Sequence, residues 1–257
     1  MSTLRAKCPA CGTFTAVALG PSYECHSCGR EFGAGLVRVP RAWGEGGETM
    51  AEAARLPLPY PEAAVVEEDS LAAQTFAVAA ELPDRPLVLG GCCCSHIGAI
   101  EALSARYGRI GVLWLDAHGD LNTPETSPSG NAWGMPLRVV IDSGAVAPDD
   151  VVLVGARELD PPEEEFIAAS GVRTGAGELR ALAGTEGLYV AFDADSTDAD
   201  DLDAFMPEPG GLKLAEVQEL FRLAREQRPV LGLGFSGLRA SERNVEPLTR
   251  LAQALGL

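Results

Sequence analysis

The sequence has no apolar run approaching the ~20 residues of a membrane span. Its N-terminus carries no apolar core of a secretory signal. Both absences set an expectation of a cytoplasmic protein with no membrane partner. Positive charge is also short: 20 Lys and Arg stand against 37 Asp and Glu, a net charge of −17. A field of that sign disfavours phosphate backbones, so it argues against a nucleic-acid partner and favours cationic ligands and metal ions. No internal repeat and no low-complexity tract interrupts the 257 residues. A disulfide framework is missing too. The seven cysteines fall into two groups, Cys8, Cys11, Cys25 and Cys28, then the adjacent run Cys92, Cys93, Cys94. Three adjacent cysteines make a poor disulfide scaffold and fit a reducing compartment.

What is present begins with the first cysteine group. Cys8-Pro-Ala-Cys11 and Cys25-His-Ser-Cys28 are two Cys-x-x-Cys knuckles separated by 13 residues. Each is followed by a glycine, Gly12 or Gly29, which lets the backbone turn tightly around an ion. Four thiolates at this spacing suit a tetrahedral structural Zn²⁺ site, with a redox pair or chance clustering as the alternatives. Residues 1–33 therefore read as a zinc-ribbon-like module, with Thr13 to Val17 a short strand and His26 a bystander. A closed four-cysteine site is structural and does not point to catalysis.

From residue 34 to 257 the chain alternates. Gly35 to Pro40 is strand-like, and Leu56 to Pro61, with three prolines, is an irregular surface segment. Asp69 or Ser70 caps a helix reaching about Leu82. Apolar strands follow at 86–91, 109–115, 151–155, 188–193 and 230–235. Helices are expected at 95–107, 135–141, 161–169, 214–226 and 245–255. This alternation predicts an α/β fold whose mostly parallel sheet is covered on both faces, with ligands at the carboxyl ends of the strands.

Three of those strands end in metal-binding side chains. One runs into Cys92, Cys93 and Cys94. Another ends in Asp116, His118 and Asp120, at alternate positions that share a face in extended backbone. The third ends in Asp193 and Asp195, with Asp198 three residues on. One strand end of this kind also reads as a solvated acidic turn. Two on parallel strands supply enough carboxylate for two divalent ions, which can share one hydroxide and lower the pKa of its parent water. Without metals, so many carboxylates in one cleft repel each other.

These residues resemble the ureohydrolase superfamily of arginase, agmatinase and formiminoglutamase across roughly residues 35–257. Asp116-Ala-His-Gly-Asp120 is similar to its Asp-Ala-His-x-Asp metal motif. Ser129-Gly-Asn-Ala-Trp-Gly-Met-Pro136 is similar to its Ser-Gly-Asn-x-His-Gly loop. Phe192-Asp-Ala-Asp-Ser-Thr-Asp198 resembles its Phe-Asp-x-Asp-x-x-Asp motif, and Pro207 to Leu212 its Pro-x-x-Gly-Gly-Leu turn. Gly155 to Asp160 fits as well. The resemblance implies a three-layer arginase-like fold and a dinuclear Mn²⁺ centre, two ions per subunit. Asp116 and Asp193 would each touch both ions, His118 and Asp195 would complete one, and Asp120 would serve the other. A metal-bound hydroxide would attack the carbon of a small cationic guanidino or amidino substrate, with Asp198 a supporting carboxylate. Asn131 would contact substrate, and the loop from Pro124 to Pro128 would carry specificity. Relatives are commonly trimers or hexamers, so a homo-oligomer is expected.

Three positions depart from the pattern. Cys93 stands where the family has a histidine ligand; a thiolate suits Zn²⁺ or Fe²⁺ better than Mn²⁺, and small buried packing is its other reading. His96, on the following helix, ranks below it as a ligand. Trp133 replaces the loop histidine credited with proton transfer; an indole cannot shuttle a proton but packs over a cation or an apolar group. Gly237 falls where the family carries a glutamate that grips the guanidinium, leaving Glu208 as a substitute carboxylate. The expected activity is hydrolysis of a C–N bond in a linear amidine. The alternative is an inactive binding or regulatory protein that keeps the fold.

Overall fold

The computed structural model describes residues 5–257, so the first four residues of the expected ribbon module lie outside the described part. Strands β1 (Arg5–Ala6), β2 (Ala16–Leu19), β3 (Ser22–Cys25) and β4 (Glu31–Phe32) form a four-stranded antiparallel sheet in sequence order. The strand expected at Thr13 to Val17 starts three residues later, because the chain from Cys8 to Gly12 is still turning: Gly12 N–H donates to Cys8 O at 2.9 Å. Its small core is Ala6, Cys8, Ala16, Tyr23 and Cys25.

The rest of the chain runs β5 (Gly35–Val39), α1 (Glu48–Ala53), β6 (Glu62–Val65), α2 (Leu71–Glu81), β7 (Pro86–Gly90), α3 (Ser95–Tyr107), β8 (Gly111–Leu115), α4 (Pro136–Asp142), β9 (Val151–Val154), α5 (Pro161–Ser170), β10 (Arg173–Thr174), β11 (Leu188–Asp193), α6 (Leu214–Gln227), β12 (Val230–Ser236) and α7 (Val245–Ala254). Its eight strands make one parallel sheet in the order β10-β9-β8-β11-β12-β7-β5-β6. The expected helices and strands are all present. Helix α1 and the edge strands β6 and β10 are additions that the sequence pattern does not reveal, being short and lacking a clear apolar period.

Start signals explain several boundaries. The Ser70 hydroxyl accepts from Ala73 N–H at 3.2 Å and caps α2. Asp160 and Glu163 form a capping box at α5, where Pro161 supplies a preset φ. Strands β7, β8, β9, β11 and β12 are buried along their whole length, as a sheet covered on both faces requires. One face packs Leu113, Phe192 and Phe235 against Phe221 of α6 and Leu248 and Leu251 of α7. The other packs Val88, Trp114 and Tyr189 against Val78 of α2, Ile97 and Ile100 of α3 and Leu137 of α4. Each buried Val, Leu, Ile or Phe side chain among them contributes about 1.5–3 kcal/mol relative to exposure, so the layers are fixed by strands whose sequence has no solvent-facing side. Among the described residues, no helix is long and apolar enough to cross a membrane.

Candidate metal centre

In the antiparallel sheet the four cysteine sulfurs lie within 4.8 Å of one another. Cys8 Sγ is 3.8 Å from Cys28 Sγ, and Cys11 Sγ is 3.6 Å from Cys25 Sγ. Two equivalent turns bring them there: Gly12 N–H donates to Cys8 O and Gly29 N–H to Cys25 O, with the glycines at φ +73° and +71°. A Cβ at either position would strain the turn. His26 is not in the group.

The second set lies at the carboxyl ends of the parallel strands. Strand β8 ends at Leu115, so Asp116, His118 and Asp120 sit on the loop beyond it and do not share one strand face. They divide instead. One ligand atom each from Asp116, His118 and Asp195 lie within 4.8 Å of one another, and so do those of Cys93, Asp116 and Asp120. Asp116 belongs to both groups. Asp120 itself takes φ +52°, the single positive φ among described non-glycine residues, a strained backbone at the point where the chain turns toward Cys93. His118 Nδ1 is 3.3 Å from Asp116 Oδ1 and 3.1 Å from Asp195 Oδ2. Asp193, at the end of β11, belongs to neither group but lies beside both: its Oδ2 is 2.9 Å from Cys93 Sγ, and its Oδ1 accepts from Asp195 N–H at 3.0 Å.

The electrostatics are those of a crowded anionic cavity. Burial, then Asp195, pushes the Asp193 carboxyl up to about 7. Burial and Asp116 push Asp195 up to about 6, and burial with Asp116 and Asp193 holds Asp120 well above the usual range. Burial alone would lower His118, but the Asp116 and Asp195 carboxylates outweigh it and raise the imidazole to about 12. Burial and the neighbouring Asp193 push the Cys93 thiol up. Asp120 Oδ2 is buried without a hydrogen-bond partner. Such an atom is expensive to leave unpaired. A pair of divalent ions would satisfy it and neutralise the repulsion, and the donors fit that role, with carboxylates and imidazole around one position and a soft sulfur added at the other.

A cavity opens onto these groups. Met50, Cys92, Cys93, Trp133, Phe205, Met206 and Gly237 line it with the Asp and His side chains. Trp133 meets Phe205 edge-on at 6.1 Å between ring centres, over the glycines Gly44 and Gly47. A second cavity of about 290 Å³ continues outward past His118, Asp120, Asn122, Ser127, Ser129, Glu158, Asp160 and Glu208. Among the described residues, no Lys or Arg lines either one. The nearby Arg157 guanidinium is spent on the carbonyls of Gly155, Asp195, Glu208 and Pro209.

Two expected residues are placed elsewhere. Asp198 does not line the cavity; its carboxylate is 2.7 Å from Lys213 Nζ, because the 3-10 turn over Ala194–Ser196 rotates the chain away after Asp195. Asn131 lines neither cavity; its side-chain oxygen accepts from Glu45 N–H at 2.9 Å and ties two loops together. Trp133 and Glu208 do face the cleft. His96 is not among the grouped ligands. Its ring is buried between Tyr189 and Ser236, and burial lowers it to about 3. Met50, Phe205, Met206 and Ser236 were not anticipated. The one available signal was position: Phe205 and Met206 directly precede the Pro207 to Leu212 turn.

The arginase family model matches residues 49–236, more than half of the chain and all of this centre. The chain belongs to the arginase family. Among curated relatives, the arginase of Bacillus subtilis (strain 168) is 37% identical over 158 residues, 51% of this chain and 53% of that protein. The arginase of Staphylococcus aureus (strain MRSA252) is 46% identical over 99 residues, 35% of this chain and 33% of the relative. The chain thus aligns with about a third to a half of the length of these arginases. Solved structures extend the likeness in fold. A crystal structure of arginase from Bacillus subtilis superposes with a TM-score of 0.72 at 24% identity, covering 87% of this chain and 98% of that one. Entamoeba histolytica arginase in complex with L-ornithine gives 0.73 at 18% identity, with 87% and 98% covered. Formimidoylglutamase from Bacillus subtilis gives 0.66 at 18% identity, with 87% of each chain covered. All three share the arginase fold with this chain.

Proposed function

We propose that the chain is a metal-dependent hydrolase that cleaves a C–N bond of a small cationic amidino or guanidino compound. The observation that carries this reading is the shared Asp116 carboxylate, which belongs to two adjacent ligand groups at the bottom of a cavity. Two divalent ions held this way supply an activated water at neutral pH. Cys93, Asp116, Asp120 and Asp193 would hold one ion, and Asp116, His118, Asp193 and Asp195 the other. Manganese suits the position with His118, and zinc or ferrous iron suits the one with Cys93. The ribbon cysteines would hold a structural Zn²⁺.

The protein's own side chains bind and enclose the reacting group. Met50, Trp133, Phe205 and Met206 form an apolar wall against which a planar amidine stacks and from which water is displaced. Asn122, Ser127 and Ser129 offer neutral hydrogen-bonding groups to the substrate's tail, and Glu158 and Glu208 give the same outer cavity a negative charge that favours entry of a cation. Trp133 holds no transferable proton, so the departing amine takes its proton from solvent through the outer cavity. By family likeness we also propose a cytoplasmic homo-oligomer.

A second reading, a binding protein without turnover, draws on Trp133 and Gly237, where the sequence resemblance expects a histidine and a glutamate. Metal analysis separates the two. The hydrolase requires about three divalent ions per chain, one zinc in the ribbon and two at the centre. A single zinc and nothing more would overturn it. A screen of guanidino and formimino compounds for release of urea, ammonia or formamide then reads turnover.

A further inference from the structure

Behind Cys93 lies a hydrogen-bonded chain that neither the ligand groups nor the cavity uses. Ser236, fully buried, is the last residue of β12 and lies in register with Asp193, the last of β11. Its hydroxyl is 3.2 Å from Cys93 Sγ, 3.3 Å from Asp193 Oδ2, 3.3 Å from the Phe192 carbonyl oxygen and 3.0 Å from His96 Nε2. His96 Nδ1 is in turn 3.0 Å from the Tyr189 hydroxyl. The imidazole is wedged edge-on against Trp114, ring centres 5.4 Å apart. Its space exists because position 234 is glycine: a Cβ there would come within 2.4 Å of both His96 Nδ1 and the Tyr189 hydroxyl. Four elements therefore contribute to one polar thread through an apolar core: β12 with Ser236 and Gly234, α3 with His96, β11 with Tyr189, and the β7–α3 turn with Cys93.

We infer that Tyr189, His96 and Ser236 form a positioning chain that aims a hydroxyl at the Cys93 sulfur and holds it beside Asp193 as the ligand pair of one ion. A neutral imidazole donates from one nitrogen and accepts at the other. With the Tyr189 hydroxyl donating to Nδ1, Nε2–H donates to Ser236 Oγ, and of the acceptors left to the Ser236 proton Cys93 Sγ at 3.2 Å is the nearest, ahead of Asp193 Oδ2 and the Phe192 carbonyl at 3.3 Å. A buried polar group in such a thread needs a partner at every link. The thread ends at the cavity floor, where Cys93 and Asp193 lie, and at the Phe192 carbonyl inside the sheet. Outer groups of this type fix ligand orientation, and their loss typically weakens metal binding about 10- to 100-fold. A chain built solely to fill the core would not require a hydroxyl directed at sulfur. This inference rests on Cys93 being a metal ligand, as proposed above.

The test uses the full-length protein with Co²⁺ at the centre, read by sulfur-to-cobalt charge-transfer absorption and by competition with a chelator. Difference spectra against Cys93→Ala cancel the contribution of the ribbon cysteines. Ser236→Ala and Tyr189→Phe are expected to shift or weaken the Cys93-dependent band and to lower Co²⁺ affinity about 10-fold or more. Ser236→Thr, which keeps the hydroxyl, should restore both. If Cys93→Ala leaves the spectrum unchanged, Cys93 is no ligand and the parent reading of that half-site fails. A Cys93-dependent band that neither Ser236→Ala nor Tyr189→Phe alters, in energy, intensity or affinity, overturns the positioning chain alone. Tyr189→Phe removes one oxygen and no carbon, so it decides the question even where Ser236→Ala does not fold.

Discussion

The Asp193 carboxylate occupies the space in which a side chain on Gly237 would begin: a Cβ at Gly237 would lie 1.9 Å from Asp193 Oδ1. The glycine is also at φ +66°, a region other residues enter at a cost of about 1–3 kcal/mol. Gly237→Ala is therefore expected to destabilise the protein by at least about 2 kcal/mol and to displace Asp193 from the centre. Urea unfolding and ion counting read the two effects. Wild-type stability with both ions retained would contradict the assignment.

Asp116→Asn keeps the size of the shared ligand and removes its charge. The stoichiometry at the strand ends should fall by at least one ion while the ribbon zinc stays. Any hydrolytic activity should fall by more than about 100-fold, beyond what supporting groups give. Plasma emission measurement of metal content, beside the activity assay, checks both.

The ribbon and the cleft should lose their ions independently. Cys25→Ser breaks one knuckle, and its expected result is loss of one zinc with both centre ions kept. The region of residues 5–32 should then become the first to be cut by a protease, since a four-cysteine site of this size draws its stability from the metal. Co-loss of the centre ions would show that the two are coupled.

A pH dependence follows for protein stripped of the two centre ions, with the ribbon zinc in place. Asp193 and Asp195 titrate at about 7 and about 6 when folded and near 4 when unfolded. Between those values the folded chain holds more protons, so stability falls as pH rises from about 4 to 7. His118 acts in the same sense from about 6.5 upward, because its folded value is about 12. Calorimetry should find Tm dropping across this window, and added divalent ions should restore it most at the alkaline end. A Tm that is flat or rising over pH 4.5–7.5 would contradict these shifts.

What is legible in the sequence depends on distance along the chain. Asp116, His118, Asp193 and Asp195 are legible as candidate ligands because each pair sits where an apolar strand stops. The fold was readable for the same reason. Asp198 misled because spacing is informative only while the backbone stays extended, and a 3-10 turn intervenes. The split of Asp120 from His118 accompanies a single positive φ, which an aspartate does not announce. Ser236, 143 residues from Cys93, meets it through strand order alone, and no local pattern encodes that.

One pairing at the ribbon's margin has a wider meaning. Lys7 and Glu62 exchange backbone hydrogen bonds of 3.0 Å in both directions, the geometry of an antiparallel bridge onto the outermost strand of the large sheet. An unguarded outer strand is a template for another chain. At the opposite margin, β10 is two residues long and offers little to copy. The four-cysteine segment is then a bumper as well as a module. Zinc withdrawal would uncover a sticky border, and the earliest sign of it would be turbidity that grows with protein concentration rather than lost turnover.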